Sequence, residues 1–448
     1  MLFRILLILL LVFAVSAALG QTLTYGEIIT RGVAKRYAGD IDGAIAEYTK
    51  AIALDPSKPD AYHNRGIARS DKNDVAGAMS DYDKAIEVDP KFSGSYVNRG
   101  NLKKDVMNDI AGARRDFETA VAVGPDNPYA FYARGSMRQD TGDHSGAIAD
   151  LSKCIDLEPT LFVAYLNRGI SKSSLHDLIG AVADFSAAIR IAPKDPRGYN
   201  NRGLAYLYKN DLGEALADLS KAIELDPNDG GVFHSRGTIK FRLHDLEGSI
   251  ADLSRANILT PGRPSILVAR GTAYSWFEQF DKAIADYDAA EKLDPKNAAT
   301  IAYTRAWARF YMDDGPGVFR DVSQFLTAKG TASSSSPYAI IIGYLALAPS
   351  DRAKATDFAV GWLKGLSKED WTTKIINYLL GRMTEDQLLS FAADRSARTE
   401  AYTYIGKNAQ LNGDKAAARQ RFEWVRSNGS PDFREYHLAG QELERITP

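Results

Sequence analysis

Tyr62-His63-Asn64-Arg65-Gly66, followed by Asn73-Asp74, Ala78, Asp81-Tyr82, Ala85-Ile86 and Asp89-Pro90, decides the fold of this chain. The Arg-Gly pair already stands at Arg31-Gly32. It returns at Arg99-Gly100, Arg134-Gly135, Arg168-Gly169, Arg202-Gly203, Arg236-Gly237 and Arg270-Gly271. A proline closes each unit, at Pro56, Pro90, Pro125, Pro159, Pro193, Pro227, Pro261 and Pro295. The step is 34 residues, lengthened to 35 from Arg99 to Arg134 and from Pro90 to Pro125. No single chemical site explains so regular a period. A stacked helical solenoid does, because each unit buries its apolar face only against its neighbours.

Each unit reads as two helices. In the second, the first helix runs from about Asp60 to Asp71 and the second from Val75 to Val88. Asn73-Asp74 supplies the turn and the N-cap between them. Asp89-Pro90 ends the second helix, since proline disfavours helix at the residue before it. Ala78, Tyr82, Ala85 and Ile86 fall at i, i+4, i+7 and i+8, one apolar face. Glycine inside a helix costs about 1 kcal/mol against alanine. Its return beside each Arg therefore implies a helix–helix contact too close for a Cβ. The lone cysteine, Cys154, occupies a slot that holds Ala51, Ala85, Ala120, Ala188, Ala222, Ala256 and Ala290 in other units. It is expected as a small buried side chain rather than a redox sensor.

The pattern resembles that of tetratricopeptide-repeat (TPR) proteins: an aromatic, Gly four residues on, then Ala, an aromatic four later, Ala three later and a closing Pro. The first aromatic is Tyr62, Tyr96, Phe131, Tyr165, Tyr199 or Phe233. The first Ala is Ala44, Ala78, Ala113, Ala147, Ala181, Ala215 or Ala283, with Ser249 in its place once. The match covers residues 24–300. A degenerate ninth repeat, Thr304 to Lys329, has Ala306 for the Gly and Asp314-Gly315-Pro316-Gly317 as its turn. The resemblance implies an all-α, right-handed TPR superhelical solenoid with a divergent helical C-terminal region.

One departure from that pattern is itself periodic. Arg stands before each Gly where the family places a large apolar residue. Lys35, Arg69, Lys103, Arg138, Lys172 and Lys240 follow three after it. The second helix offers one acid per unit at a fixed register: Glu47, Asp81, Asp116, Asp150, Asp184, Asp218, Asp252 and Asp286. An Arg–Asp ladder is predicted, and a charge repeated in every unit marks scaffold rather than a site.

The ends differ from the array. Arg4, the apolar run Ile5 to Val15 and small residues up to Ala18-Leu19-Gly20 have the layout of a signal peptide over residues 1–20. An uncleaved N-terminal anchor is the other reading. No Cys follows the run, so no lipidation site is expected there. Residues 331–337 read as a Ser-rich linker between the array, 24–330, and a divergent helical region, 338–448, that ends in a capping helix. Within that region Trp371, Tyr378-Leu379-Leu380-Gly381, Glu400-Ala401-Tyr402, Gly413-Asp414, Ala418, Phe433, Glu435-Tyr436 and Glu442-Leu443 are similar to NlpI-type TPR lipoproteins of bacterial envelopes. That family implies a periplasmic adaptor that gathers cell-wall hydrolases and proteases.

Composition and motifs point to binding rather than catalysis. The net charge of −2 lacks the basic excess of a general nucleic-acid binder. His63, His144, His176, His234, His244 and His437 show no metal-ligand spacing, and no nucleophile motif or phosphate loop is present. No cofactor, metal or catalytic residue is expected. TPR arrays bind along the first-helix face. The predicted groove has an acidic row, Asp71, Asp105 and Asp140, with Tyr129 and Tyr132 near it, and an aromatic half, Tyr208, Phe241, Trp276, Trp307 and Tyr311. The acids suit a basic segment and the aromatics a peptide or a sugar. The Lys and Asn that a chaperone-tail carboxylate clamp needs do not stand together: His63 and Ile67 hold those positions in one unit, Val97 and Asn101 in the next, Asn200 and Leu204 in another. The expected function is a non-enzymatic scaffold of the cell envelope, in the periplasm, holding a peptide or helix of envelope proteins. The alternative is glycan or peptidoglycan-fragment binding through the aromatic half of the groove.

Overall fold

The computed structural model describes residues 23–446 and is all-α over them, with one short 3-10 turn at Pro295–Asn297. The predicted signal segment lies outside the described residues. Among the described residues no helix is long and apolar enough to cross a membrane. The chain divides after Leu225 into two compact units.

The first unit holds six helix pairs: Tyr25–Tyr37 with Ile41–Leu54, Pro59–Asp71 with Val75–Val88, Ser93–Asp105 with Ile110–Val123, Pro128–Asp140 with His144–Leu157, Phe162–Ser174 with Leu178–Ile191, and Pro196–Tyr208 with Leu212–Leu225. The second unit continues the pattern with Gly230–Arg242 and Leu246–Leu259, Pro264–Trp276 and Phe280–Leu293, Ala298–Tyr311 and Gly315–Lys329, and Ser336–Leu347 and Arg352–Leu363. Short helices Trp371–Leu379 and Glu385–Phe391 follow. A last pair, Arg395–Leu411 with Lys415–Asn428, precedes the C-terminal helix Arg434–Ile446.

The turn inside each pair has one design. Asn73 takes a left-handed conformation (φ 61°), which Asn tolerates because its short amide bonds locally. Asp74 then caps the second helix by accepting the Gly77 N–H at 2.9 Å. Asp40, Asp109, Asp143, Asp177, Asp245, Asp314 and Asp414 cap the same way. His176 and His244 are the left-handed residues of their turns, so these histidines belong to the scaffold.

The first helix is pressed onto the second where the Gly stands. A Cβ on Gly66 would lie 2.7 Å from the Tyr82 ring, and Gly32, Gly100, Gly169 and Gly271 meet Tyr48, Phe117, Phe185 and Tyr287 as closely. Those rings are buried. Each adds roughly 1.5–3 kcal/mol of apolar burial, more than the glycine costs. Cys154 is fully buried, and burial pushes its thiol up to about 11.

The Arg–Asp ladder is present in both units. Arg65 grips Asp81 through Nη2 at 2.7 Å and Nε at 3.0 Å, and Arg69 adds a third bond at 2.9 Å. Arg99, Arg134, Arg168, Arg202, Arg236, Arg270 and Arg305 hold Asp116, Asp150, Asp184, Asp218, Asp252, Asp286 and Asp321 in the same two-pronged way. The guanidinium also reaches back to the preceding repeat: Arg99 to Asp83 at 2.6 Å, Arg168 to Ser152 at 3.0 Å, Arg202 to Ser186 at 2.9 Å. It lies 5.5–6.0 Å over an aromatic of its own helix, as Arg99 does over Tyr96 and Arg202 over Tyr199. A planar, five-donor guanidinium makes these contacts together, which a lysine ammonium does not. The structural reading of the ladder stands.

Residues 331–337 are not a loose linker. Gly330 turns the chain with φ 62°, Ser336 and Pro337 are buried, and Ser336 Oγ donates to the Gly330 carbonyl at 2.7 Å. The helices on either side share one core with Trp307, Phe325, Ile340 and Tyr404. The serines are turn and helix-start residues, and their composition resembles that of a linker.

Candidate partner-binding groove

The last turn of each first helix carries the predicted groove positions. In the first unit Tyr37, Asp71, Asp105, Asp140, Ser174 and Tyr208 are all exposed, Tyr208 at 74%; Tyr129, in the first turn of its helix, is 55% exposed. Tyr132 is half-buried. Asp71 and Asp140 are braced from one repeat earlier, and Asp105 by its neighbour on the same helix. Arg36 Nε donates to Asp71 at 2.5 Å, and Lys104 lies 3.6 Å from Asp105 and 3.1 Å from Asp140. Two cations therefore offset three carboxylates, so the acidic row attracts a basic segment less than its sequence implies. This face is an open strip of tyrosines and ion pairs, suited to hydrogen bonding and to packing along an extended segment.

In the second unit the aromatic half is partly closed. Phe241 and Trp276 are half-buried, with their rings edge to face at 6.0 Å. Trp307 and Tyr311 are only 3% and 7% exposed, which corrects their assignment to an open surface. The segment leading into Arg434–Ile446 covers them. Tyr311 Oη donates to the Arg434 carbonyl at 2.9 Å, and the Arg434 guanidinium sits 5.1 Å above the Trp307 ring. His437 meets Trp276 edge-on at 4.9 Å, and Arg445 pairs with Asp313 at 2.9 Å. Phe280 stacks on Tyr311 at 5.2 Å. Helical spacing tells which side of its own helix a residue faces. It carries no information on a segment more than a hundred residues later that comes to cover it. With Trp307 and Tyr311 closed over, the sugar-stacking alternative loses two of its five aromatic faces.

A cavity of about 340 Å³ remains open beside this contact, with Trp276, Tyr303, Trp307, Tyr338, Glu400 and Arg434 among its walls. Glu400 is 5% exposed, and its carboxylate accepts from neutral donors, Tyr338 Oη at 3.0 Å and Trp371 Nε1 at 2.7 Å. Burial first, then the Glu435 carboxylate, push its pKa up to about 7. Glu435 is also buried, accepts from Tyr404 Oη at 2.7 Å, and is likewise raised by burial. None of Tyr303, Tyr338, Glu400, Arg434 or Glu435 was legible as a site residue. They converge from distant helices, and no local spacing announces them. Among the described residues no cluster of three His, Cys, Asp or Glu side chains could hold a metal ion.

Comparison with known proteins falls on these same helix pairs. A family model described as TPR repeat matches residues 32–71, and models described as tetratricopeptide repeat match 59–92, 106–159, 196–229 and 264–297. The lipoprotein NlpI homolog of Haemophilus influenzae is 30% identical over 127 residues, covering 26% of this chain. The chain thus spans 40% of the length of that curated relative. Among solved structures, YrrB, described as a TPR protein with an unusual peptide-binding site, is 27% identical. It covers 42% of this chain and 97% of its own, with a TM-score of 0.37. A tetratricopeptide repeat protein from Parabacteroides merdae is 20% identical and covers 55% and 97%, with a TM-score of 0.40. Paired helices, glycine contacts, closing prolines and matched repeats together make the chain a tetratricopeptide-repeat protein with similarity to a bacterial NlpI lipoprotein.

Proposed function

We propose that this protein is an adaptor of the bacterial cell envelope whose first-helix face holds an extended peptide or a helix of partner proteins. Arrays of this repeat are protein–protein interaction scaffolds, in general without catalysis of their own. One observation carries the finer reading. In the second unit the groove positions Trp276, Trp307 and Tyr311 already seat a helix of the chain itself, Arg434–Ile446. In the first unit the equivalent positions are uncovered, with Tyr208 and Tyr37 more than half exposed. A surface built to receive a segment in one place and left open in another supports capture of a segment from outside. The envelope location rests on the signal-like N-terminus and on the NlpI relative, and the periplasm is the compartment both favour.

A photo-crosslinking residue at Tyr208 or Tyr129, expressed in bacteria, tests the binding face. Ile179, 78% exposed on a second helix, is the control. Discrete protein adducts from the two tyrosine positions and none from Ile179 are expected. Equal labelling at all three positions, or none, would rule the reading out.

A further inference from the structure

The cavity under the C-terminal segment has the chemistry of a cation site. Its walls include Trp276, Tyr303 and Tyr338, whose ring faces attract positive charge, and Trp307, whose face Arg434 already covers. Three carboxylates line it, Glu400, Asp432 and Glu435, against one guanidinium, Arg434. The charges that act most on Glu400 are acids, Glu435 and Asp394, and its two donors are neutral. A buried carboxyl with no cation beside it is costly. Carboxyls perturbed by burial and a neighbouring like charge, set in a cleft, cluster at functional sites. Arg434 supplies an independent observation, since its guanidinium over the Trp307 ring shows that this wall accepts a planar cation.

We propose that this pocket takes the cationic end of an Arg or Lys side chain from a partner protein's segment, with Glu400 as its counter-charge and Trp276 as its rim. The inference rests on the adaptor reading above and names the partner's chemistry: a basic anchor residue, not a carboxylate terminus. The anchoring group docks beside Arg434, and its charge brings the lining to two cations against three acids.

The test is a fluorescence titration of the full chain at pH 8 with Nα-acetyl-arginine amide and Nα-acetyl-lysine amide. Nα-acetyl-citrulline amide is the neutral isostere. Saturable quenching by the charged probes and none by citrulline are expected. Glu400→Gln should weaken the charged probes about tenfold, the loss typical of one charge-assisted hydrogen bond. Trp276→Ala, a half-buried rim change, should weaken them too and serves if the first variant melts early. Equal binding of arginine and citrulline probes, or unchanged binding to both variants, would overturn the proposal. Crosslinks at Tyr208 and Tyr129 that persist while the probes fail would leave the adaptor reading standing and sink the basic anchor alone. Probe binding without any crosslink would do the reverse.

Discussion

Replacing Asp321 by Asn separates a buried rung of the ladder from an exposed ion pair of shorter contact distance. Asp321 is fully buried and accepts from Arg305 at 3.0 and 2.8 Å and from Arg309 at 2.7 Å. Both arginines are themselves less than a tenth exposed. An Asn amide keeps the shape but turns an NH2 donor toward the guanidinium N–H groups and removes the counter-charge. Breaking a buried pair from one side costs about 3–5 kcal/mol. Arg305 keeps Asp288 at 2.6 Å and Glu291 at 2.5 Å, which places the expected loss near the lower end, about 3 kcal/mol. The exposed pair Lys72–Asp42 has a 2.6 Å contact with side chains 54% and 77% exposed, and Asp42→Asn should cost less than about 1 kcal/mol. The exposed contact is the shorter, 2.6 Å against 2.7–3.0 Å, so burial and the number of bonds decide, not distance. A repeat array need not unfold in one step. Urea midpoints should therefore be read alongside amide exchange resolved to residues 298–347. Asp321→Asn within 1 kcal/mol of wild type, or no worse than Asp42→Asn, would refute the reasoning.

Two further outcomes follow from single positions. Gly66→Ala puts a Cβ 2.7 Å from the Tyr82 ring, which is 2% exposed and has nowhere to go; overpacking of about 1–3 kcal/mol should outweigh the helix-propensity gain. Gly361→Ala, in the last turn of Arg352–Leu363 with nothing within 4 Å, should instead stabilise by up to roughly 0.5 kcal/mol through propensity and so raise the melting temperature, and opposite signs in differential scanning calorimetry are the check. The Glu400 carboxyl is held above its usual 4.5, at about 7, so the stability it lends is complete below pH 4.5 and is lost as pH rises through 7. Glu400→Gln should thus stabilise the fold by on the order of 3 kcal/mol at pH 8 and by little at pH 4.5, and a melting temperature equally changed at both pH values would contradict this.

What was legible in the sequence is what repeats. The second-repeat helices come out at Pro59–Asp71 and Val75–Val88, within a residue of the expected ends, because Asn73-Asp74 and Asp89-Pro90 act locally. The glycine contacts and the ladder were readable because both partners of each pair recur at one spacing, about 16 residues apart. The misread parts have the opposite property. Residues 331–337 look like a linker in composition, and only the core beneath them makes them a turn. Asp71 and Asp140 look like free acids until the preceding repeat supplies Arg36 and Lys104. Glu400, Arg434 and Glu435 meet through tertiary packing alone.

The same contrast bears on where specificity lies. In the proposed groove each first helix contributes its last turn, so side-chain identity is what distinguishes one repeat from the next. In the second unit that identity is used internally: Trp276, Trp307 and Tyr311 hold His437, Arg434 and the backbone of the last helix. A helix needed only to cap the array would cover the end of the last pair, Arg395–Leu411 with Lys415–Asn428. This one also reaches Tyr311 and Asp313, more than a hundred residues earlier, with an aromatic contact, a cation over a ring and an ion pair. Those are the contacts a bound partner helix would make. The C-terminal helix thus offers, within the chain, a pattern for the recognition that we propose for the open tyrosine strip of the first unit with a segment from outside.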